Sequence, residues 1–140
     1  MIELELPIYA NVTKRKRALM SLNWYRNAHY QQSNKIKRYY QQLIKDKLGH
    51  CKTCFKGQIE LNYKLYYKNS GSDLNNVVAV LDKFLLDALQ SLNYIKNDNV
   101  KYYIKCTSEV AGQDKDNPRL QVKIKGVEYV NRKRKKGTDQ

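Results

Sequence analysis

Residues 58–67, QIELNYKLYY, alternate apolar and polar positions over a full ten residues. Ile59, Leu61, Tyr63 and Leu65 fall on one face, so the stretch reads as a strand with one side turned to a core. A turn follows at Asn69-Ser70-Gly71-Ser72. Residues 74–92 then repeat apolar positions at helical spacing, with Val77, Leu81, Phe84, Ala88 and Leu92 on one stripe. A one-sided strand and a one-sided helix, joined by a short turn, bury each other. That pair restricts the chain to a sheet covered by helix.

The remaining elements fit around it. Residues 2–8 alternate apolar and acidic residues, a strand ending near Pro7, and residues 11–27 read as irregular and basic. Residues 28–48 carry Ile36, Tyr39, Tyr40, Leu43, Ile44 and Leu48 at helical spacing, with Gly49 as a stop. Residues 50–57 connect. Residues 99–106 read as a third strand, 109–118 as a loop ending in Asn117-Pro118, and 119–126 as a fourth strand. The predicted order is β-α-β-α-β-β, an α/β (α+β) fold in one domain over residues 1–127. A basic, disordered tail is expected over 128–140, around the run NRKRKK.

The formal net charge is +14. Such a charge calls for a polyanionic partner, nucleic acid first and a membrane surface second. No apolar run reaches the length of a membrane span. The acidic N-terminal stretch MIELEL does not suit a secretory signal, and three cysteines fit a reducing compartment, so a cytoplasmic protein is expected. The cations Lys14, Arg15, Lys16, Arg17, Arg26, Lys35, Lys37 and Arg38 form a basic arm and helix face, the candidate DNA contacts. Trp24, Tyr25, Tyr30, Tyr39 and Tyr40 are interleaved with them and could stack on unpaired bases. In His50-Cys51-x-x-Cys54 two cysteines have zinc-like spacing, but a zinc site needs four ligands and no second such pair exists, so zinc is not expected there.

Against this basic background, SDLNNVVAVLDKFLLDAL at 72–89 carries Asp73, Asp82 and Asp87, and Asp98 follows. On a helical wheel Asn76, Lys83 and Asp87 share one stripe beside the apolar face, with Asp73 at its upper end. Asp82 and Asn75 fall near the opposite side. A helix start and a strand start can bring Asp73 and Asp98 together. Hard carboxylate oxygens there would suit Mg²⁺, which needs one or two carboxylates plus substrate phosphate, and Lys83 could neutralise phosphate charge. The simpler reading is an N-cap at Asp73 and a solvated Lys83–Asp87 pair.

Asp73-Leu74-Asn75-Asn76, then Lys83 with Asp87-Ala88-Leu89, then Asp98 opening a strand, resembles the RusA family of Holliday-junction resolvases, in its phage-borne branch. LNWYRNAHY at 22–30 is similar too, and the resemblance runs over residues 1 to about 127. It implies a mixed four-stranded sheet with two helices and a homodimer. The implied activity is Mg²⁺- or Mn²⁺-dependent cutting of four-way DNA junctions in recombination, repair or phage DNA processing. It places Asp73, Asn75 and Asp98 at the metal, makes Asp73, Lys83 and Asp98 catalytic, and gives Asn76 and Asp87 supporting roles. The chain departs from the family pattern at Asn75, where a second aspartate is usual, at Asn97, and by one extra helical turn between Asp73 and Lys83. A weakened relative that binds branched DNA without cutting is the alternative.

Overall fold

The computed structural model describes residues 1–49, 55 and 57–127. Its elements in chain order are β1 (Ile2–Pro7), β2 (Tyr9–Asn11), β3 (Arg17–Leu19), α1 (Leu22–Asn27), α2 (Tyr30–Leu48), β4 (Gln58–Tyr67), α3 (Leu74–Ser91), β5 (Tyr103–Gln113) and β6 (Arg119–Val127). Four strands form one mixed sheet in the order β1-β6-β4-β5, and β2 and β3 form a separate hairpin. The β1–β6 and β6–β4 pairs are antiparallel and the β4–β5 pair is parallel. This is the α/β (α+β) single-layer architecture the sequence predicts, with a third, short helix added.

Strand alternation decides which side is core. Ile59, Leu61, Tyr63 and Leu65 of β4, Leu4 and Leu6 of β1, and Leu120, Val122 and Ile124 of β6 are all buried. The positions between them carry Glu3, Glu5, Asn62, Lys64, Lys123 and Lys125 on the sheet's open face. Helix α3 packs against α2, α1 and β5 and buries every member of its predicted stripe. Phe84 lies at the centre, its ring stacked on Tyr40 at 5.4 Å and meeting Tyr25 edge-on at 6.1 Å.

Local chemistry sets the helix limits. His29 caps α2, its Nδ1 accepting from the Gln31 N–H at 3.2 Å. Gly49 ends α2 with φ of 70°, a left-handed conformation that glycine adopts without a side-chain penalty. Asn93 does the same after α3 at φ 66°. Two tyrosine hydroxyls pin the layers: Tyr40 donates to the Pro7 carbonyl at 2.5 Å, and Tyr94 donates to the Leu48 carbonyl at 2.9 Å.

Three sequence expectations need correction. Residues 11–27 are not irregular: they hold the end of β2, all of β3 and α1. The third strand lies at 103–113 rather than 99–106, and so takes in part of the expected loop at 109–118. Nearly all of it is exposed, because it is the sheet edge and neither face is fully covered; an amphipathic pattern has nothing to report there. Tyr40 is core, 0% exposed, and its burial pushes its hydroxyl pKa well up, so it is no surface for stacking on bases.

Candidate functional site

Asp73 caps α3. Its Oδ1 accepts from the Asn75 N–H at 3.1 Å and from the Asn76 N–H at 3.5 Å. This is the arrangement that favours Asp, Asn and Ser at helix starts. Asn75 and Lys83 are exposed, and Asn76 is half-buried. Asp87 turns to α2, where the Lys37 ammonium lies 2.9 Å from its carboxylate. That ion pair engages one of the expected DNA-binding lysines. Asp98 sits exposed in the turn before β5, its N–H donating to Asn97 Oδ1 at 2.7 Å; Asn97 thus shapes the turn.

Asp82 is where the structure departs from the helical wheel. It does not face away from the protein but lies at the seam between α3 and strands β4 and β5. Its Oδ1 accepts from two phenols, Tyr63 of β4 and Tyr103 of β5, the latter at 2.9 Å. The wheel treats one flank of α3 as open, whereas Val78, Leu85, Leu86 and Leu89 are buried along with the predicted stripe. Edge strand β5 covers that flank, and Tyr103 reaches over it.

The electrostatics join Asp82 to Asp98. Burial raises the Asp82 pKa above the usual carboxylate range, the two tyrosine hydroxyls pull it down, and the charge of Asp98 raises it again. Tyr63, wholly buried, has its hydroxyl pKa pushed well up by the same loss of water and by the Asp82 charge. Burial also lifts the Tyr103 hydroxyl and the Cys106 thiol. The result is a half-buried carboxylate at Asp82, tied to β4 and β5 by its two phenols, with the exposed Asp98 near enough for its charge to be felt. Both tyrosine bonds go to Oδ1, which leaves Oδ2 of Asp82 its lone pairs.

Asp73 does not belong to this pair within one chain. It stands nine positions before Asp82 on a continuous helix, about 13 Å along the axis at 1.5 Å per residue. Among the described residues, no group of three or more His, Cys, Asp or Glu side chains gathers to hold a metal ion. The donor chemistry of Asp82 and Asp98 still fits Mg²⁺, which keeps several waters and takes only one or two carboxylates. A dication between them would also relieve the repulsion that Asp98 exerts on Asp82.

The basic residues group more tightly than the sequence suggests. Lys14, Arg15 and Lys16 form the tip of the β2–β3 hairpin, and Arg17 begins β3. The tip is fixed by Thr13, whose Oγ1 accepts from the N–H groups of Arg15 at 3.3 Å and Lys16 at 3.0 Å. All four cations are exposed, as are Arg26 on α1 and Lys35 and Arg38 on α2. Sequence reasoning passed over Tyr9, the ring beneath this hairpin. Arg17 lies 5.8 Å and Lys68 5.6 Å from its centroid. Its signal was present: Tyr9, Asn11 and Arg17 share one hairpin face once Tyr9↔Leu19 and Asn11↔Arg17 pair.

The Cys51/Cys54 pair and the basic segment 128–140 lie outside the described residues; Cys106 is a free, exposed thiol. Among the described residues no helix is long and apolar enough to cross a membrane. No model of a known protein family and no curated protein sequence matches the chain.

Proposed function

We propose that this protein is a Mg²⁺-dependent, structure-specific DNA endonuclease acting on branched DNA, four-way junctions foremost, and working as a homodimer. One observation carries the reading: the half-buried Asp82, tied to Tyr63 and Tyr103, lies within the field of the exposed Asp98 on a protein of net charge +14. A chain so basic has little reason to hold two carboxylates together unless a cation sits between them. The pattern Asp73…Lys83…Asp87…Asp98 supports the same reading by its likeness to RusA resolvases.

The residues divide the work. Asp98 and the free Oδ2 of Asp82 would hold the cation; Mn²⁺, with the same preference for oxygen ligands, would substitute. A cation held there would supply activation of water and stabilisation of the leaving oxygen of the phosphodiester. Tyr63 and Tyr103 orient Asp82 so that its free oxygen does not rotate away. The exposed ammonium of Lys83 stands one residue along the helix, free to meet phosphate charge. The exposed hairpin cations would supply the backbone binding.

The test is incubation of the purified protein with a synthetic four-way junction, with Mg²⁺ and with EDTA. Paired symmetric nicks in Mg²⁺ alone are expected. Asp98→Asn should abolish them and leave junction binding in place; full cutting by that variant would sink the assignment. A second reading is favoured by Asn75 and Asn97, which stand where the resembled family carries acids. It is a protein that binds junctions without cutting them, and tight binding with no nicks in Mg²⁺ or Mn²⁺ would establish it.

A further inference from the structure

Tyr9 stands where two clefts meet. The first, of about 350 Å³, opens between Tyr9 and Tyr39 and carries Arg17 and Lys35 on its walls, over a floor of Pro7 and Ile36. The second, of about 280 Å³, lies on the other side of Tyr9 and Arg17 and is flanked by Lys68 and Lys115. Four cations thus surround one aromatic ring, and Asp116 is the one acid on the walls of either cleft. Tyr39 is 45% exposed, held edge-on against the buried Tyr40 at 5.2 Å. Tyr9 is held by the hairpin ladder, with its neighbour Ala10 buried. The two rings are therefore presented by rigid elements.

Their chemistry is specific to a single strand. A cleft of a few hundred Å³ has the size of a small-ligand site, room for a flat base and too little for a duplex. Tyrosine faces supply stacking, and cations on both sides follow a backbone that enters by one cleft and leaves by the other. Arg17 and Lys68 stand 5.8 and 5.6 Å from the Tyr9 centroid, near the outer limit of cation–π attraction. Both lie over the ring at long range, so an incoming base displaces one of them, and these long side chains can swing to phosphates. We infer that the Tyr9–Tyr39 cleft receives an unpaired base of single-stranded DNA, with Arg17 and Lys35 on the phosphates of one side and Lys68 and Lys115 on the other. The inference rests on the proposed function only for the choice of DNA; it requires no metal and no cutting.

The experiment is done in EDTA, so that cutting does not enter. The full chain is titrated by fluorescence anisotropy with an oligothymidylate of about twelve nucleotides, within the span that single-strand grooves cover. The same titration uses an abasic strand of equal length. Tyr9→Leu should weaken oligothymidylate binding roughly 5- to 100-fold, the range expected for one lost stack, and change abasic binding by less than about twofold. Tyr39→Leu, on the exposed wall, should show the same split and guards against a folding defect at position 9. Lys68→Gln should weaken both strands alike and lower the salt slope by about 0.7. Equal losses on both strands, or none in either tyrosine variant, would overturn the inference. So would an oligouridylate bound more than about tenfold tighter than oligothymidylate, which would make the strand RNA. Junction cutting in Mg²⁺ is scored separately, so a failed stack and a failed nuclease give different results.

Discussion

Replacing Asp82 with alanine strands a phenol. The Tyr63 hydroxyl is wholly buried and has Asp82 as its hydrogen-bond partner; the Tyr103 hydroxyl shares that partner but stands in a half-buried residue that water can reach. An orphaned buried hydroxyl costs about 1–3 kcal/mol. For a chain of this size that corresponds to a Tm lowered by about 3–10 °C. Adding Tyr63→Phe removes the stranded group together with its lost partner, and removing both ends of such a bond is nearly neutral. The double variant should therefore recover most of the loss, a coupling of about 1–3 kcal/mol in a double-mutant cycle. Equilibrium urea unfolding followed by circular dichroism measures all four proteins. A double variant less stable than Asp82→Ala would refute the reasoning, because Tyr63 would then not depend on Asp82.

Asp82→Asn isolates the charge, since its amide oxygen still accepts from a phenol. Burial, reinforced by Asp98, raises the Asp82 pKa in the folded state. A raised acid contributes stability that is full below the unfolded value of about 3.9 and is lost as pH climbs through the folded value. Relative to the Asn variant, the natural protein should therefore lose ground as pH rises from about 4 to 7 in EDTA. A gap that is flat over this range, or that moves the other way, would show that the carboxylate is not desolvated.

Two further outcomes are expected. Asp73→Ala should cost about 1 kcal/mol and Asp73→Asn only a few tenths, because Asn caps as well as Asp. If cutting is lost in Asp73→Asn while its Tm is unchanged, the charge at 73 has a role in catalysis that the cap does not explain. Phe84→Ala should cost about 3–5 kcal/mol in the same urea titration, because its buried ring touches both Tyr40 and Tyr25. Phe84→Leu should cost much less.

What could be read in the sequence tracks one-sidedness. Strand β4 was legible to the residue at 58–67, and β6 and α3 to within one residue, because each buries one face and exposes the other. Strand β5 was misplaced because an edge exposed on both faces leaves no alternation to find; its position follows from the backbone partner, Ile59↔Tyr103 through Tyr67↔Gln113. The hairpin and α1 are too short for any period to accumulate over three to six residues. Asp73 as a cap was legible, since a Ser-Gly-Ser turn before a helix leaves little choice. Asp82 was not, because its environment comes from Tyr63 and Tyr103, residues 19 and 21 positions away. A wheel describes one helix and is blind to what leans over its flank.

The sheet order has a consequence for how the chain comes to be folded. Among the described residues strand β1 pairs with β6 alone, and the Arg119–Glu5 ion pair across that seam spans 114 positions of sequence. During synthesis β1 leaves the ribosome before the other described strands, yet its hydrogen-bonding partner is the last of them. For the whole time between, Leu4 and Leu6 have no sheet to join, and closing so long a loop is entropically costly. The βαβ stretch from β4 to β5 contains its own partners and can form early. Docking of β1 is therefore expected to be a late, slow and non-local step, to be checked by the folding rate of a Leu4→Ala variant. Until it docks, the edge of β6 is open to pairing with another nascent chain, which chaperones would need to guard against.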